Sequence, residues 1–104
     1  MTSKSERAKS EPRQARVWTV EFDERARREL RKLDAGVQTM ILRYAREGIA
    51  GAADPRRFGK PLRRNLAGLW RYRVEDYRLI CRFEEERVVV LVLQVGHRRD
   101  IYED

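Results

Sequence analysis

Apolar positions recur along this chain with two different periods, and the switches between them lay out the fold. Val17 to Phe22 (VWTVEF) is short, β-branched and aromatic, with Trp18, Val20 and Phe22 at every second position. That alternation predicts a strand. From Ala26 the spacing lengthens: Ala26, Leu30 and Leu33 recur at helical intervals, with Arg25, Arg27, Arg28, Arg31 and Lys32 between them. Asp23 offers an N-cap, because a short carboxylate accepts from the unpaired N–H groups of a first turn. Asp34 offers a second, and Val37, Ile41, Tyr44 and Ala45 continue the helical spacing. Two amphipathic helices joined by a tight turn, an αα-hairpin, are predicted. Gly48 is the expected end of the second helix, and Gly51 with Asp54-Pro55 marks a loop.

The period of two returns at Leu69. Leu69 to Glu75 (LWRYRVE) and Tyr77 to Phe83 (YRLICRF) alternate apolar with basic residues. Val88 to Val95 (VVVLVLQV) is nearly all apolar, as a strand buried on both faces would be. Glu84-Glu85-Glu86 is the expected hairpin turn before it. Gly96 is expected to stop the last strand, leaving His97 to Tyr102 as a short polar tail. The predicted class is α+β: an N-terminal strand, an αα-hairpin, then three antiparallel strands in a curved sheet with the helices on one face. The other face is expected to meet solvent or a ligand. A single domain over residues 17–104 is expected, preceded by a disordered basic tail at 1–16, which holds almost nothing to bury.

Charge narrows the partner. Lys and Arg number 24 against 17 Asp and Glu, a formal net charge of +7 in 104 residues. Such an excess points to a polyanion, most commonly nucleic acid. Cys81, the single cysteine, excludes an internal disulfide and a thiolate metal cluster, and its apolar surroundings predict a small buried hydrophobe. The single histidine, His97, excludes a histidine metal cage, so no metal or cofactor is expected. No apolar leader precedes the first strand, and the Val88 to Leu93 run is too short to span a bilayer. A soluble, cytoplasmic protein with no membrane partner is expected.

Alternation also sorts the basic residues. With Trp70, Tyr72 and Val74 turned to the core, Arg71 and Arg73 stand on the open face, and Arg78 alternates with Tyr77 and Leu79. The loop before these strands adds Arg56, Arg57, Lys60, Arg63 and Arg64 with no acid among them. Guanidinium groups are always charged, and like charges directly across strands are destabilising. A cluster of them is therefore read as an anion site; the alternative is that each pairs with one of the 17 acids.

The residues 22–33 from Phe22-Asp23-Glu24-Arg25-Ala26 onward, Gly68-Leu69-Trp70-Arg71-Tyr72-Arg73-Val74, Asp76-Tyr77-Arg78-Leu79 and Val95-Gly96-His97-Arg98-Arg99-Asp100-Ile101-Tyr102 resemble, in order, the RelE toxins of the RelE/ParE superfamily. The resemblance implies two helices on an antiparallel sheet, and metal-independent endonucleolytic cleavage of mRNA in the ribosomal A site, inhibiting translation. There the RNA's own 2′-hydroxyl attacks the adjacent phosphate. It implies that Arg78 grips that phosphate, that Arg98 is a second catalytic arginine, and that Tyr102 stacks on a base or moves a proton. Arg71 falls where some members place lysine, and His97 where others have Lys or His. Leu69 departs from members that carry lysine there, and the general base stays open. Arg73, Lys60, Arg63 and Arg64 are expected to position RNA. The expected partners are a cognate antitoxin, RelB-like or other, the ribosome and mRNA, with DNA met only through the antitoxin complex. Two other readings fit the same fold: a ParE-like inhibitor of DNA gyrase, and a non-catalytic nucleic-acid binder or corepressor.

Overall fold

The computed structural model describes residues 17–101. The expected tail at 1–16 and Tyr102 lie outside the described residues. Strand β1 (Thr19–Phe22) leads into helices α1 (Glu24–Arg31) and α2 (Ala35–Arg43). Two 3-10 turns, Pro55–Phe58 and Arg64–Leu66, flank a short strand β2 (Lys60–Pro61). Strands β3 (Leu69–Val74), β4 (Tyr77–Glu84) and β5 (Val89–His97) follow. The sheet runs β1-β5-β4-β3-β2. Its β1–β5 pairing is parallel and the others are antiparallel. This is the α+β arrangement expected, with β2 as an added edge strand.

Both aspartate caps form. Asp23 Oδ1 accepts the Ala26 N–H at 2.9 Å, and Asp34 Oδ2 accepts that of Gly36 at 3.2 Å. Three boundaries differ from the sequence reading. The second helix does not end at Gly48 but continues as a π-helical turn over Tyr44–Ile49. Ala45 and Ile49, four apart, are both buried, and that burial carries the chain past the glycine. Val88 belongs to the turn rather than the strand, with a left-handed φ of 54°. Strand β5 runs through Gly96 to His97, because Arg78 and Tyr77 of β4 supply ladder partners for both.

The helices cover one sheet face. Ile41, Tyr72, Leu79, Val90 and Val92 are wholly or almost wholly buried there, and Cys81 lies among them as a buried thiol. Tyr72 Oη donates to the Pro55 carbonyl at 2.5 Å, tying the loop before β2 to the core. Tyr72→Phe keeps the ring and leaves that buried carbonyl short of its donor. It is expected to cost about 1–3 kcal/mol, read as a lower urea midpoint with unchanged slope.

Burial also pushes up the phenol of Tyr72 and the thiol of Cys81, and that of Tyr44 in the same core. Raised folded-state values mean stability is complete below the ordinary values of 9.0 for the thiol and 10.0 for the phenols. Above them the unfolded chain sheds protons that the folded chain keeps, so stability falls as pH rises. Urea midpoints at pH 8 and pH 10.5, on the two sides of those reference values, are expected to differ, the alkaline one being lower.

The opposite face is not left open throughout, as the sequence suggested. Leu62, Ile80 and Ile101 form a second buried cluster there, with Leu66 and Leu69 packed against it. Ile101 belongs to the segment read as a polar tail. Its burial folds the C-terminal turn back over β4 and β5.

Candidate active site

Register brings the basic residues of three strands onto this second face. Arg73 lies directly opposite Arg78, and Arg78 opposite Gly96. One step along, Lys60 opposes Arg71, which opposes Ile80. Paired residues share a face, so Lys60, Arg71, Arg73 and Arg78 stand on one side of the sheet. Arg71 and Arg78 are buried, at 8% and 7% exposure, whereas Arg73 and Lys60 are exposed. Arg71, opposite Ile80 of the small apolar cluster, and Arg78 are thus the buried members of the row, and Arg73 and Lys60 its accessible ones. Arg73 also borders an open cleft against α2, lined by Met40, Arg43 and Tyr44.

The β3–β4 turn, Glu75-Asp76, gathers two guanidinium groups. Arg78 Nη1 donates to the Glu75 carbonyl at 3.0 Å and to the Tyr77 carbonyl at 2.9 Å, which curls the side chain over the turn. Just past the end of β5, the Arg98 N–H donates to the Asp76 carbonyl at 2.7 Å. The Arg98 Nε sits 3.8 Å from Asp76 Oδ1, and both side chains are more than half exposed. An exposed ion pair of this kind contributes little to stability, so an incoming phosphate can replace the carboxylate at small cost. Asp76 escaped the sequence reading. Its only signal was an acid placed in the turn between two alternating basic strands.

Other expected site residues are placed elsewhere. His97 opposes Tyr77, not Arg78, and their rings meet edge to face at 5.4 Å. It therefore shares the face of Tyr77, and its Nδ1 accepts the Arg99 N–H at 3.2 Å. Arg63 and Arg64 are exposed in the loop that Leu62 and Leu66 anchor to the second cluster. Arg56 is built into the scaffold. Its guanidinium lies 4.1 Å from the Phe83 ring centre, within 6 Å of the Trp18 and Trp70 rings, and pairs with Glu85.

A two-helix, five-strand α+β domain with a cationic sheet end is the class this fold and site define. The family model for the ParE toxin of type II toxin-antitoxin systems, parDE, matches residues 20–102. Toxin RelG of Mycobacterium tuberculosis (strain ATCC 25618 / H37Rv) is 41% identical over 85 residues, 82% of this chain and 95% of that protein. The toxin-antitoxin complex RelBE2 from M. tuberculosis contains a chain with 39% identity and a TM-score of 0.73, the match covering 79% of this chain and 99% of that one. The intact E. coli RelBE toxin-antitoxin complex gives 26% identity and a TM-score of 0.60, over 78% and 96%. The chain belongs to the RelE/ParE superfamily and is a toxin of a type II toxin–antitoxin system. Among the described residues no helix is long and apolar enough to cross a membrane.

Proposed function

We propose that this toxin is a cytoplasmic, metal-independent endoribonuclease that cuts mRNA in the ribosomal A site and so inhibits translation. The observation that carries the reading is the gathering of Arg78 and Arg98 on one two-residue turn, with Arg73 directly opposite Arg78. When a 2′-hydroxyl gives up its proton and attacks the adjacent phosphate, the bond to the next nucleotide's 5′-oxygen breaks and that oxygen leaves with a proton, and negative charge grows on the phosphoryl oxygens in between. Fixed guanidinium donors stabilise that charge more than they stabilise the ground state. Arg78 and Arg98 take that role, and neither can act as a base at neutral pH. Proton transfer is assigned to Tyr102 ahead of His97, because His97 shares the face of Tyr77 rather than that of Arg78. Arg71, buried on the same face as Arg73, completes the positive field, and Arg73, Lys60, Arg63 and Arg64 position the RNA backbone.

The partner that restrains it is a cognate antitoxin. The similar M. tuberculosis and E. coli toxins were both solved in toxin-antitoxin complexes. The test of the activity is translation in vitro with the purified chain, followed by primer extension on the mRNA. Breaks in phase with codons that need ribosomes support the reading. Intact mRNA under conditions where an active RelE toxin cuts would remove it.

The match to the ParE family model favours a second reading, inhibition of DNA gyrase. That activity needs no nuclease site. Growth arrest that survives Arg78→Ala together with Arg98→Ala, alongside loss of supercoiling by gyrase, would select it.

A further inference from the structure

Strand β5 outruns the strand beside it. The last β1–β5 pair is Phe22 with Val92, and the Asp23 N–H closes that ladder on the Val92 carbonyl at 2.9 Å. There the chain turns into α1, so among the described residues the outer edge of β5 beyond Val92 has no strand neighbour. The same stretch is irregular on its other side. Ile80 pairs with Gln94 but Cys81 pairs with Val92, which leaves Leu93 as an extra residue in β5. A bulge of this kind bends the strand and breaks the even run of ladder bonds. The three residues that follow Val95 are Gly96, His97 and Arg98, so a stretch of β5 paired with a strand on one side only leads into the cationic end.

One side chain supports it. Glu29, from α1, accepts the Val95 N–H on Oε1 at 2.7 Å. Its other oxygen, Oε2, accepts from Arg25 Nε at 3.0 Å, which fixes the carboxylate in place. The carboxylate stands where the next residues of β1 would have stood. A backbone donor at a strand edge would otherwise turn to water and let the strand fray.

We infer that Glu29 is a positioning residue for the cleavage site: its bond to the Val95 amide holds the bulged end of β5 so that Arg98 meets the β3–β4 turn beside Arg78. The inference rests on the RNA-cleavage reading. Glu29 does not touch RNA in this role. It acts through the backbone, and what matters is the reach and acceptor oxygen of its side chain, not its charge.

That distinction gives the test. Glu29→Asp keeps the charge and shortens the reach by one methylene, whereas Glu29→Gln keeps the reach and one acceptor oxygen for the Val95 amide and removes the charge together with the bond accepted from Arg25. Full-length variants are compared in ribosome-dependent cleavage and in amide hydrogen exchange at Val95. Glu29→Asp is expected to lower kcat about tenfold with KM little changed, as misplacement of a site does, and to speed Val95 exchange about tenfold. Glu29→Gln is expected to stay within about threefold of the parent in both. The reverse order, with Gln impaired and Asp unimpaired, makes the role one of charge and overturns the inference. So does faster Val95 exchange in Glu29→Asp with cleavage unchanged. If Glu29→Asp does not fold, a loss of more than about tenfold in kcat for the isosteric Glu29→Gln overturns it instead. A parent chain that cuts nothing overturns the cleavage reading and this role together. A parent that cuts, with Glu29→Asp cutting equally well, overturns this inference alone.

Discussion

Arg78→Ala is expected to slow ribosome-dependent mRNA cleavage about 100-fold, with KM changed far less than kcat. The guanidinium is firmly held. It is 7% exposed and anchored by Nη1 on two backbone carbonyls. A donor fixed before the reaction needs no reorganisation when charge develops, so its loss falls on the transition state. The same anchoring has a cost in folding terms. Removing the side chain takes a donor from two carbonyls of the β3–β4 turn, and stability is expected to fall by about 1–3 kcal/mol. Urea midpoints measured beside the kinetics separate the two effects. Assays at a temperature where Arg78→Ala remains folded should still show the rate loss. Cleavage within about threefold of the parent would detach the chemistry from this arginine. Arg98→Ala is the useful contrast, since its exposed pair with Asp76 contributes little to folding. Its rate should fall with the urea midpoint almost unmoved.

Much of this fold is written in local periodicity. The alternation in β3 placed Arg71 and Arg73 on the open face and left Arg78 to the strand pairing; the register puts all three on one face. Both N-caps were legible because capping is a contact over two or three residues. What escaped was non-local. Nothing in the spacing says that Arg73, rather than Arg71, opposes Arg78, since the two-residue turn at Glu75-Asp76 sets that register. A bulge at Leu93 shifts everything after it relative to β4, and only the helix–strand packing reveals the bond from Val95 to Glu29. Arg56 illustrates the same limit. In sequence it is one more cation in an acid-free run, and in the fold it is stacked on Phe83. Gly96 and Ile101 were misjudged together. The glycine looked like a strand stop and the isoleucine like part of a tail, when each explains the other.

Gly96 leaves little room for a side chain. A Cβ there would lie 3.0 Å from Ile101 Cδ1 and 3.2 Å from its Cγ1, across the strand pair from Arg78. Gly96→Ala presses on the flexible end of one side chain, which can give by a few tenths of an ångström. Gly96→Val adds two further carbons, and β-branching leaves them little freedom to turn away. Ile101 must then leave the cluster it forms with Leu62 and Ile80, and the turn that carries Arg98 moves with it. Overpacking of this kind is expected to cost about 1–3 kcal/mol. Because the displaced turn carries Arg98, the second arginine of the proposed cleavage site, cleavage should fall further than stability implies, about 100-fold for a shift near 1 Å. Ile101→Ala removes the obstacle, so the double variant should lose less stability than the two single changes added together, the mark of a direct steric contact. Strict additivity would mean that the two side chains do not meet. Parent-like cleavage by Gly96→Val would mean that the position of the Arg98 turn does not govern the chemistry.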